Sequence, residues 1–214
     1  MPDRISSLTT MAPPDHHAAD AFDAQWWEQH YQQGDLAAVA DPTPYVVALA
    51  AARRPGTVLD AGCGTGTDAR WLAGQGWTVT AVDISPSAIE QARRLTDHAG
   101  VQVGWLVGDA GKLAVDQEFD VVISQYVHPH GPFGAFVRQL ADAVAPTGHL
   151  LIVGHEHGDQ HSAEHAPRDA SIGIEAITEQ LDPEQWQVEI ADVRTRQVGA
   201  MTLLDTIVRA RRRS

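Results

Sequence analysis

An acidic residue, a glycine-rich loop and a second acidic residue are the part of this sequence best suited to chemistry. Asp60 opens the pattern Asp-x-Gly-x-Gly-x-Gly, in which Gly62 and Gly64 are the first two glycines, and Asp83 ends a later apolar run. Glycine permits sharp turns and a close approach of the backbone to a ligand. An ionised carboxylate only accepts hydrogen bonds, which suits contact with hydroxyl groups. The combination indicates a nucleoside-containing cofactor.

Two short apolar segments must position these residues. Residues 57–60 and 78–83 are predicted strands, and each ends at one of the two acids. In an open parallel sheet the carboxyl ends of neighbouring strands meet at one edge, where such sheets bind ligands. We therefore expect Asp60, the glycine loop and Asp83 to surround one crevice.

The glycine spacing distinguishes between two kinds of cofactor. A dinucleotide fingerprint has glycine at its first, third and sixth positions, the last for close helix–strand packing beside a pyrophosphate. Thr67 occupies the sixth position here. The spacing therefore favours a cofactor without a pyrophosphate, and a dinucleotide-dependent oxidoreductase is the alternative interpretation.

The pattern resembles motif I of class I methyltransferases that use S-adenosylmethionine, and the resemblance extends from about Trp26 to Arg213. An aromatic N-terminal helix, the loop Asp-Ala-Gly-Cys-Gly-Thr-Gly and the strand Gly-Trp-x-Val-x-Ala-Val-Asp are similar to small bacterial enzymes related to the tellurite-resistance and thiopurine methyltransferases. The resemblance implies S-adenosylmethionine as cofactor and methyl transfer to a small-molecule acceptor. A regulatory protein that binds this cofactor without catalysis is a further alternative.

The resemblance also implies a set of cofactor contacts. Asp83 would bind the ribose hydroxyls, and Asp109 would reach the adenine, although a residue directly after a strand is also commonly a turn residue. Trp27 and Tyr31, one turn apart on the first helix, would close over the cofactor or else dock that helix on the sheet. The predicted cofactor-binding residues are Asp60, Gly62, Gly64, Asp83, Ile84, Asp109, Ala110, Gln125, Trp27 and Tyr31.

The segment after the fourth predicted strand is expected to face the acceptor. It contains Tyr126, His128 and His130 just before Gly131. A hydroxyl or ammonium acceptor benefits from a general base near neutral pH, whereas a thiol, selenol or tellurol ionises with little help. We predict His128 and His130 as the catalytic bases and Tyr126 as a residue that orients the acceptor. Alternatively, the histidines only shape the turn.

A second histidine-rich segment, residues 154–165, follows the fifth predicted strand. His157, His161 and His165 recur at every fourth position, a spacing that permits a metal site on a helix. Gly158 and Pro167 disfavour a long helix there. We therefore interpret the segment as an acceptor-side loop and predict no metal.

The remaining pattern predicts an α/β fold with a doubly wound, mostly parallel, seven-stranded Rossmann-like sheet that ends in an antiparallel hairpin. Strands are predicted at residues 57–60, 78–83, 101–107, 119–124, 149–153, 186–194 and 201–209. Helices are predicted at residues 21–33, 44–54, 86–98, 133–144 and 174–181, with another between the glycine loop and residue 75.

Length and composition agree with one enzyme domain. The chain has 214 residues and a formal net charge of −13, which argues against nucleic acid as a partner. The single cysteine, Cys63, suits a reducing compartment, and no apolar run approaches the length of a membrane span. We predict a cytoplasmic protein with a disordered segment at residues 1–19 and a single methyltransferase domain at residues 20–214. The sequence does not define the oligomeric state.

Overall fold

The structure is a computed structural model that describes residues 23–33, 41–113, 117–156, 172–198 and 201–214. Several predictions fall outside these ranges: the disordered segment at residues 1–19, the last part of the predicted acceptor-side loop, and the histidines at 157, 161 and 165. Among the described residues, no helix is long and apolar enough to cross a membrane.

A seven-stranded sheet forms the centre of the described part of the chain. Its strands lie in the order β3-β2-β1-β4-β5-β7-β6. All neighbours are parallel except that β7 is antiparallel to both β5 and β6. The strands are β1 (Thr57–Ala61), β2 (Thr78–Asp83), β3 (Gly104–Val107), β4 (Phe119–Gln125), β5 (Val144–His155), β6 (Trp186–Val198) and β7 (Met201–Arg212). The predicted fold class is confirmed.

Helices cover both faces of this sheet, because apolar side chains along the strands point alternately to one face and the other. In β4, Val121 and Ile123 point into one apolar core, whereas Val122 between them points into the other. Because successive strand residues face opposite sides, a continuous apolar run is buried on both faces. The helices are α1 (Ala24–Gln33), α2 (Pro44–Ala51), α3 (Thr67–Gly74), α4 (Pro86–Ala99), α5 (Phe133–Asp142) and α6 (Ile174–Thr178).

Helix α4 begins and ends at residues that suit those positions. The Ser85 hydroxyl accepts a hydrogen bond from the Ala88 amide at 3.1 Å, and Pro86 occupies the first turn. Gly100 ends the helix with a left-handed φ of 67°. Ser85 and Pro86 therefore fix the start of α4 directly after Asp83 at the end of β2, and Gly100 fixes its end.

The largest differences from the predicted boundaries occur in the C-terminal half. Strand β5 begins at Val144, not at residue 149. The added part contains Thr147 with a left-handed φ of 67°, and the pairing of β5 with β4 shifts register across it, between Val144 and His149. Strands β6 and β7 are also longer than predicted. Strand β6 continues past residue 194 to Val198, where it is mostly exposed and pairs with the start of β7. Strand β7 continues past residue 209 to Arg212, where Ala210 and Arg211 pair with Leu150 and His149 of β5.

Candidate active site

The carboxyl ends of β1, β2 and β4 surround a cavity of about 320 Å³. This volume lies within the usual range for small-molecule sites. All thirteen predicted site residues line it, together with residues that sequence reasoning did not select. The complete lining is Trp27, Tyr31, Thr43, Asp60, Gly62, Cys63, Gly64, Thr67, Asp68, Asp83, Ile84, Asp109, Ala110, Gly111, Gln125, Tyr126, Val127, His128, Pro129 and His130.

The glycine loop between β1 and α3 requires glycine for two reasons. Gly62 and Gly64 have left-handed φ angles of 82° and 53°. In addition, a Cβ atom on Gly62 would lie 2.1 Å from Cγ2 of Val127, and one on Gly64 would lie 2.7 Å from the Tyr31 hydroxyl. The loop is therefore in direct contact with both other walls of the cavity, Tyr31 of α1 and the segment after β4.

Asp83 at the end of β2 is held in place by the main chain. Its Oδ2 accepts a hydrogen bond from the Gly64 amide at 2.8 Å, and its Oδ1 accepts one from the Ser85 amide at 2.9 Å. A carboxylate offers about four lone-pair positions, so both oxygens retain capacity for further donors. Burial raises the pKa of Asp83, and the amides of Ser85, Gly64 and Ile84 oppose that rise. The geometry suits two ligand hydroxyl groups.

Two further carboxyl groups, those of Asp60 and Asp68, line the cavity beside Asp83. Burial raises the pKa of Asp60 well above its usual range, with added contributions from Asp68 and Asp83. Burial also raises the pKa of Asp68, against hydrogen bonds from Thr43 and Gln125. The described lining residues include no lysine or arginine. A positively charged ligand beside these carboxyl groups would lower their pKa values and favour their ionised forms, whereas a pyrophosphate would do the opposite.

Thr43 and Asp68 belong to a hydrogen-bonded group that the sequence analysis missed. The Thr43 amide donates to Asp68 at 2.8 Å, and the Thr43 hydroxyl donates to Oε1 of Gln125, also at 2.8 Å. The amide nitrogen of Gln125 donates to Asp68 at 2.6 Å. Thr43 and Gln125 are 82 positions apart in the chain. No local pattern indicates that Thr43 lies at this site.

Asp109 lies in the turn between β3 and the short 3-10 helix Ala110–Lys112. Its Oδ1 accepts a hydrogen bond from the Gly111 amide at 2.8 Å, and its Oδ2 lies 3.1 Å from the ammonium group of Lys112. Ala110 and, at the end of β2, Ile84 line the cavity on the same side. Asp109 is thus a turn residue that also faces the cavity, so the two interpretations of this residue are compatible.

Aromatic residues of α1 cover part of the cavity. Trp27 stacks near the ring of His128, with centroids 6.2 Å apart and planes inclined by 13°. Tyr31 lies against the glycine loop, where burial and the nearby Asp83 carboxylate raise the pKa of its hydroxyl above the usual value. Both residues therefore line the cavity as well as contacting the rest of the protein.

Tyr126 connects the cavity to a buried polar group behind it. The Tyr126 hydroxyl donates to the fully buried carboxylate of Asp205 at 2.9 Å and accepts from Arg196 at 2.6 Å. Asp205 also accepts from the hydroxyl of Tyr45 at 2.9 Å and from Arg196 at 2.7 Å. Tyr126 has a left-handed φ of 56°, which is unfavourable for a tyrosine. These bonds hold Tyr126 in that conformation.

His128 and His130 lie on the same wall as Tyr126. Burial lowers the pKa of His128 to about 4, and the nearby His155 contributes in the same direction. The imidazole of His128 is therefore neutral at pH 7. A neutral imidazole accepts hydrogen bonds, but one with so low a pKa is a weak base.

Cys63, between the first two motif glycines, is not placed for nucleophilic chemistry. Burial and the Asp60 and Asp83 carboxyl groups raise the pKa of its thiol well above the usual value, so the thiol stays protonated. Within the described ranges, no group of three or more His, Cys, Asp or Glu side chains has a geometry that would hold a metal ion.

Fold and site together define a class of protein. The sheet order, the glycine loop after β1 and the acid at the end of β2 are features of α/β proteins that bind a nucleoside cofactor at the carboxyl edge of the sheet. The carboxyl groups of the cavity and the absence of lysine and arginine from its described lining are compatible with a positively charged cofactor.

Comparison with known proteins gives the family. Residues 58–148 match the family described as a methyltransferase domain. The ubiquinone biosynthesis O-methyltransferase of Azorhizobium caulinodans is 30% identical over 163 residues, which covers 70% of this chain and 64% of that protein. The chain thus spans less than two thirds of the length of this relative. Residues 58–148 thus match a methyltransferase domain, and the chain has the fold of the class I S-adenosylmethionine-dependent methyltransferases.

Solved structures agree with this assignment. A protein studied for the conversion of a disulfide bond into a thioacetal group during echinomycin biosynthesis superposes with a TM-score of 0.66 at 29% identity, covering 81% of this chain and 82% of that one. TehB from Haemophilus influenzae has a TM-score of 0.66 at 15% identity, covering 89% of this chain and 67% of that one, and shares the fold. The predicted methyltransferase family is confirmed, whereas the individual roles of the site residues stay predictions.

Proposed function

We propose that this protein transfers a methyl group from S-adenosylmethionine to a hydroxyl group on a small, planar acceptor. The observation that carries the proposal is a cavity lined by the carboxyl groups of Asp60, Asp68 and Asp83 together with aromatic rings and the neutral imidazole of His128. Bound there, S-adenosylmethionine supplies a methyl group that is already activated by a positively charged sulfur. The rest of the chemistry is positioning by the protein, which gives large rate increases in such displacements.

Each side of the cavity has a separate task in this proposal. Asp83 holds the ribose through the acceptor capacity that its two backbone hydrogen bonds leave. Asp109 and Ala110 contact the adenine, and Trp27 and Tyr31 cover the cofactor. The acidic side chains complement the positive charge of the sulfonium and ammonium groups, an attraction that a nicotinamide dinucleotide with its pyrophosphate would not share.

The acceptor side favours a flat and mostly apolar molecule. Segment 126–130 contains no acidic residue, lysine or arginine, and the rings of Trp27 and His128 are nearly parallel. The A. caulinodans relative is named for methyl transfer to oxygen in the biosynthesis of a quinone, which is a planar ring. In this proposal His128 accepts a hydrogen bond from the acceptor hydroxyl and receives its proton, while Tyr126 keeps this wall in place.

A sulfur acceptor is the second candidate, and two observations favour it. The low pKa of His128 makes it a weak base, and a thiol ionises without strong help. The echinomycin-related structure, moreover, comes from a protein concerned with sulfur chemistry.

A cytoplasmic location and the absence of nucleic-acid and membrane partners stay predictions from composition.

The test is product formation with a panel of hydroquinones, catechols and thiols in the presence of S-adenosylmethionine. Release of S-adenosylhomocysteine together with an O-methylated product supports the proposal. A product methylated only on sulfur supports the second candidate. Cofactor binding without product from any acceptor would favour a regulatory protein. The variant His128→Gln, which keeps a polar side chain of similar size, separates a role of the imidazole from general acceptor binding.

A further inference from the structure

Helix α1 forms one wall of the cavity, yet its apolar contact with the protein is small. None of its ten residues is buried, and Trp26 is 37% exposed. Apolar burial is the main source of helix docking energy, so packing alone gives α1 a weak attachment. Polar contacts must supply much of the rest.

Glu28 provides the strongest of these contacts. Its Oε2 accepts hydrogen bonds from the Ser85 hydroxyl at 2.6 Å and from the Ser87 amide at 3.0 Å, and its Oε1 accepts one from the Ser87 hydroxyl at 2.5 Å. These donors lie at the first turn of α4, where a negative charge is also favoured by the helix dipole. In agreement, hydrogen bonds from Ser85 and Ser87 lower the pKa of Glu28 to about 2. A second polar contact runs from the Gln91 side chain to the Tyr31 carbonyl oxygen at 2.8 Å.

Ser85 links Glu28 to Asp83, which lines the cavity. The Ser85 amide donates to Asp83, while the Ser85 hydroxyl donates to Glu28. Trp27 and Tyr31 flank this contact on α1, directly before and one turn after Glu28. The contacts of Ser85 thus fix the positions of Trp27 and Tyr31 relative to the Asp83 carboxylate.

We propose that Glu28 is a positioning residue whose carboxylate fastens α1 to the first turn of α4 and so keeps Trp27 and Tyr31 over the cavity. The inference rests on the proposed function for its effect on catalysis, but not for its structural part. Cofactor and product leave when α1 moves away, and Glu28 sets how often that happens. Glu28 does not touch the reacting atoms.

Two measurements on Glu28→Ala and Glu28→Gln test this proposal, with Glu90→Gln as the control. Glu90 is an exposed glutamate of α4 that pairs with Arg94 and lies outside the cavity lining. Hydrogen exchange without ligand should show faster exchange of the α1 amides in Glu28→Ala, and exchange as in the wild type for Glu90→Gln. In stopped-flow binding, the dissociation rate of S-adenosylhomocysteine should rise about tenfold in Glu28→Ala and less in Glu28→Gln, which retains one acceptor oxygen.

Each of the two measurements has an outcome that would overturn the proposal. Unchanged α1 exchange in Glu28→Ala would overturn the proposal, because the carboxylate would then not hold the helix. An unchanged dissociation rate despite faster exchange would also overturn it, because α1 would not control ligand release. If the wild-type protein bound no S-adenosylhomocysteine, the proposed function would fail, while the exchange measurement would still decide whether Glu28 holds α1.

Discussion

The cofactor side and the acceptor side of the cavity are built in different ways. On the cofactor side, main-chain amides hold the key carboxylate, as where the Gly64 and Ser85 amides hold Asp83. On the acceptor side, Tyr126 depends on Asp205, which is 79 positions away in the chain. Main-chain support suits the binding of one invariant cofactor, whereas Tyr126 is supported by the side chains of Asp205 and Arg196, which lie outside the glycine loop.

The two sides of the cavity are in contact at Gly62, which lies against Val127. A Gly62→Ala change places a Cβ atom 2.1 Å from Val127 and forces alanine into a φ of 82°. We expect the largest effect here: affinity for S-adenosylhomocysteine falls by at least about tenfold and turnover falls with it, since a misplaced loop and wall both lose their geometry. Calorimetric titration and steady-state kinetics measure the two effects.

Gly100→Ala is the matched control, because Gly100 has a φ of 67° but a Cβ atom added there would meet no other atom within 4 Å. It isolates the cost of backbone strain, which is about 1–2 kcal/mol of stability. If Gly62→Ala had no more effect on binding and turnover than Gly100→Ala, the two sides would not be coupled at this contact.

Removing the Tyr126 hydroxyl should affect acceptor kinetics much more than cofactor affinity. Tyr126→Phe removes the hydrogen bonds with Asp205 and Arg196, and a hydrogen bond to a charged group contributes about 1.5–3 kcal/mol. We expect kcat/KM for the acceptor to fall about tenfold while affinity for S-adenosylhomocysteine changes less than about twofold.

Tyr45→Phe provides the comparison for Tyr126→Phe. Tyr45 donates to the same Asp205 carboxylate but does not line the cavity. It should lower the melting temperature with little change in acceptor kinetics. Equal losses of acceptor kcat/KM in both variants would indicate that Asp205 acts only through general stability.

The smallest expected effect concerns protonation of His128. Burial lowers its pKa from the usual 6.5 to about 4, so the unfolded chain binds the proton first as the pH falls. The contribution of His128 to stability is therefore complete above pH 6.5 and decreases as the pH falls towards 4. An NMR titration, with the signal assigned through His128→Gln, should show the imidazole still neutral at about pH 5. A midpoint near the usual value would mean that the imidazole is not buried against this wall.

The same contrast explains which features the sequence revealed. Asp60, the glycines and Asp83 lie in short segments whose strand, turn and helix signals agree, so their place at one edge of a parallel sheet follows from local patterns. Thr43 and Asp205 carry no such signal, since each reaches the site or its support through folding of distant segments. The extension of β6 to Val198 escaped prediction because an exposed strand end needs no apolar run.

The central claim is that the strand ends of β1 and β2 bind the adenosine part of the cofactor, with Asp83 at its ribose. Calorimetric titration of S-adenosylhomocysteine into the wild-type protein and into Asp83→Asn tests it most directly, with the exposed Asp97→Asn as control. The account predicts one site per chain and an affinity loss of about tenfold to a hundredfold in Asp83→Asn, from weakened hydrogen bonds to the ribose. Equal affinity in Asp83→Asn and the wild type, or binding of NAD in place of the nucleoside, would contradict it.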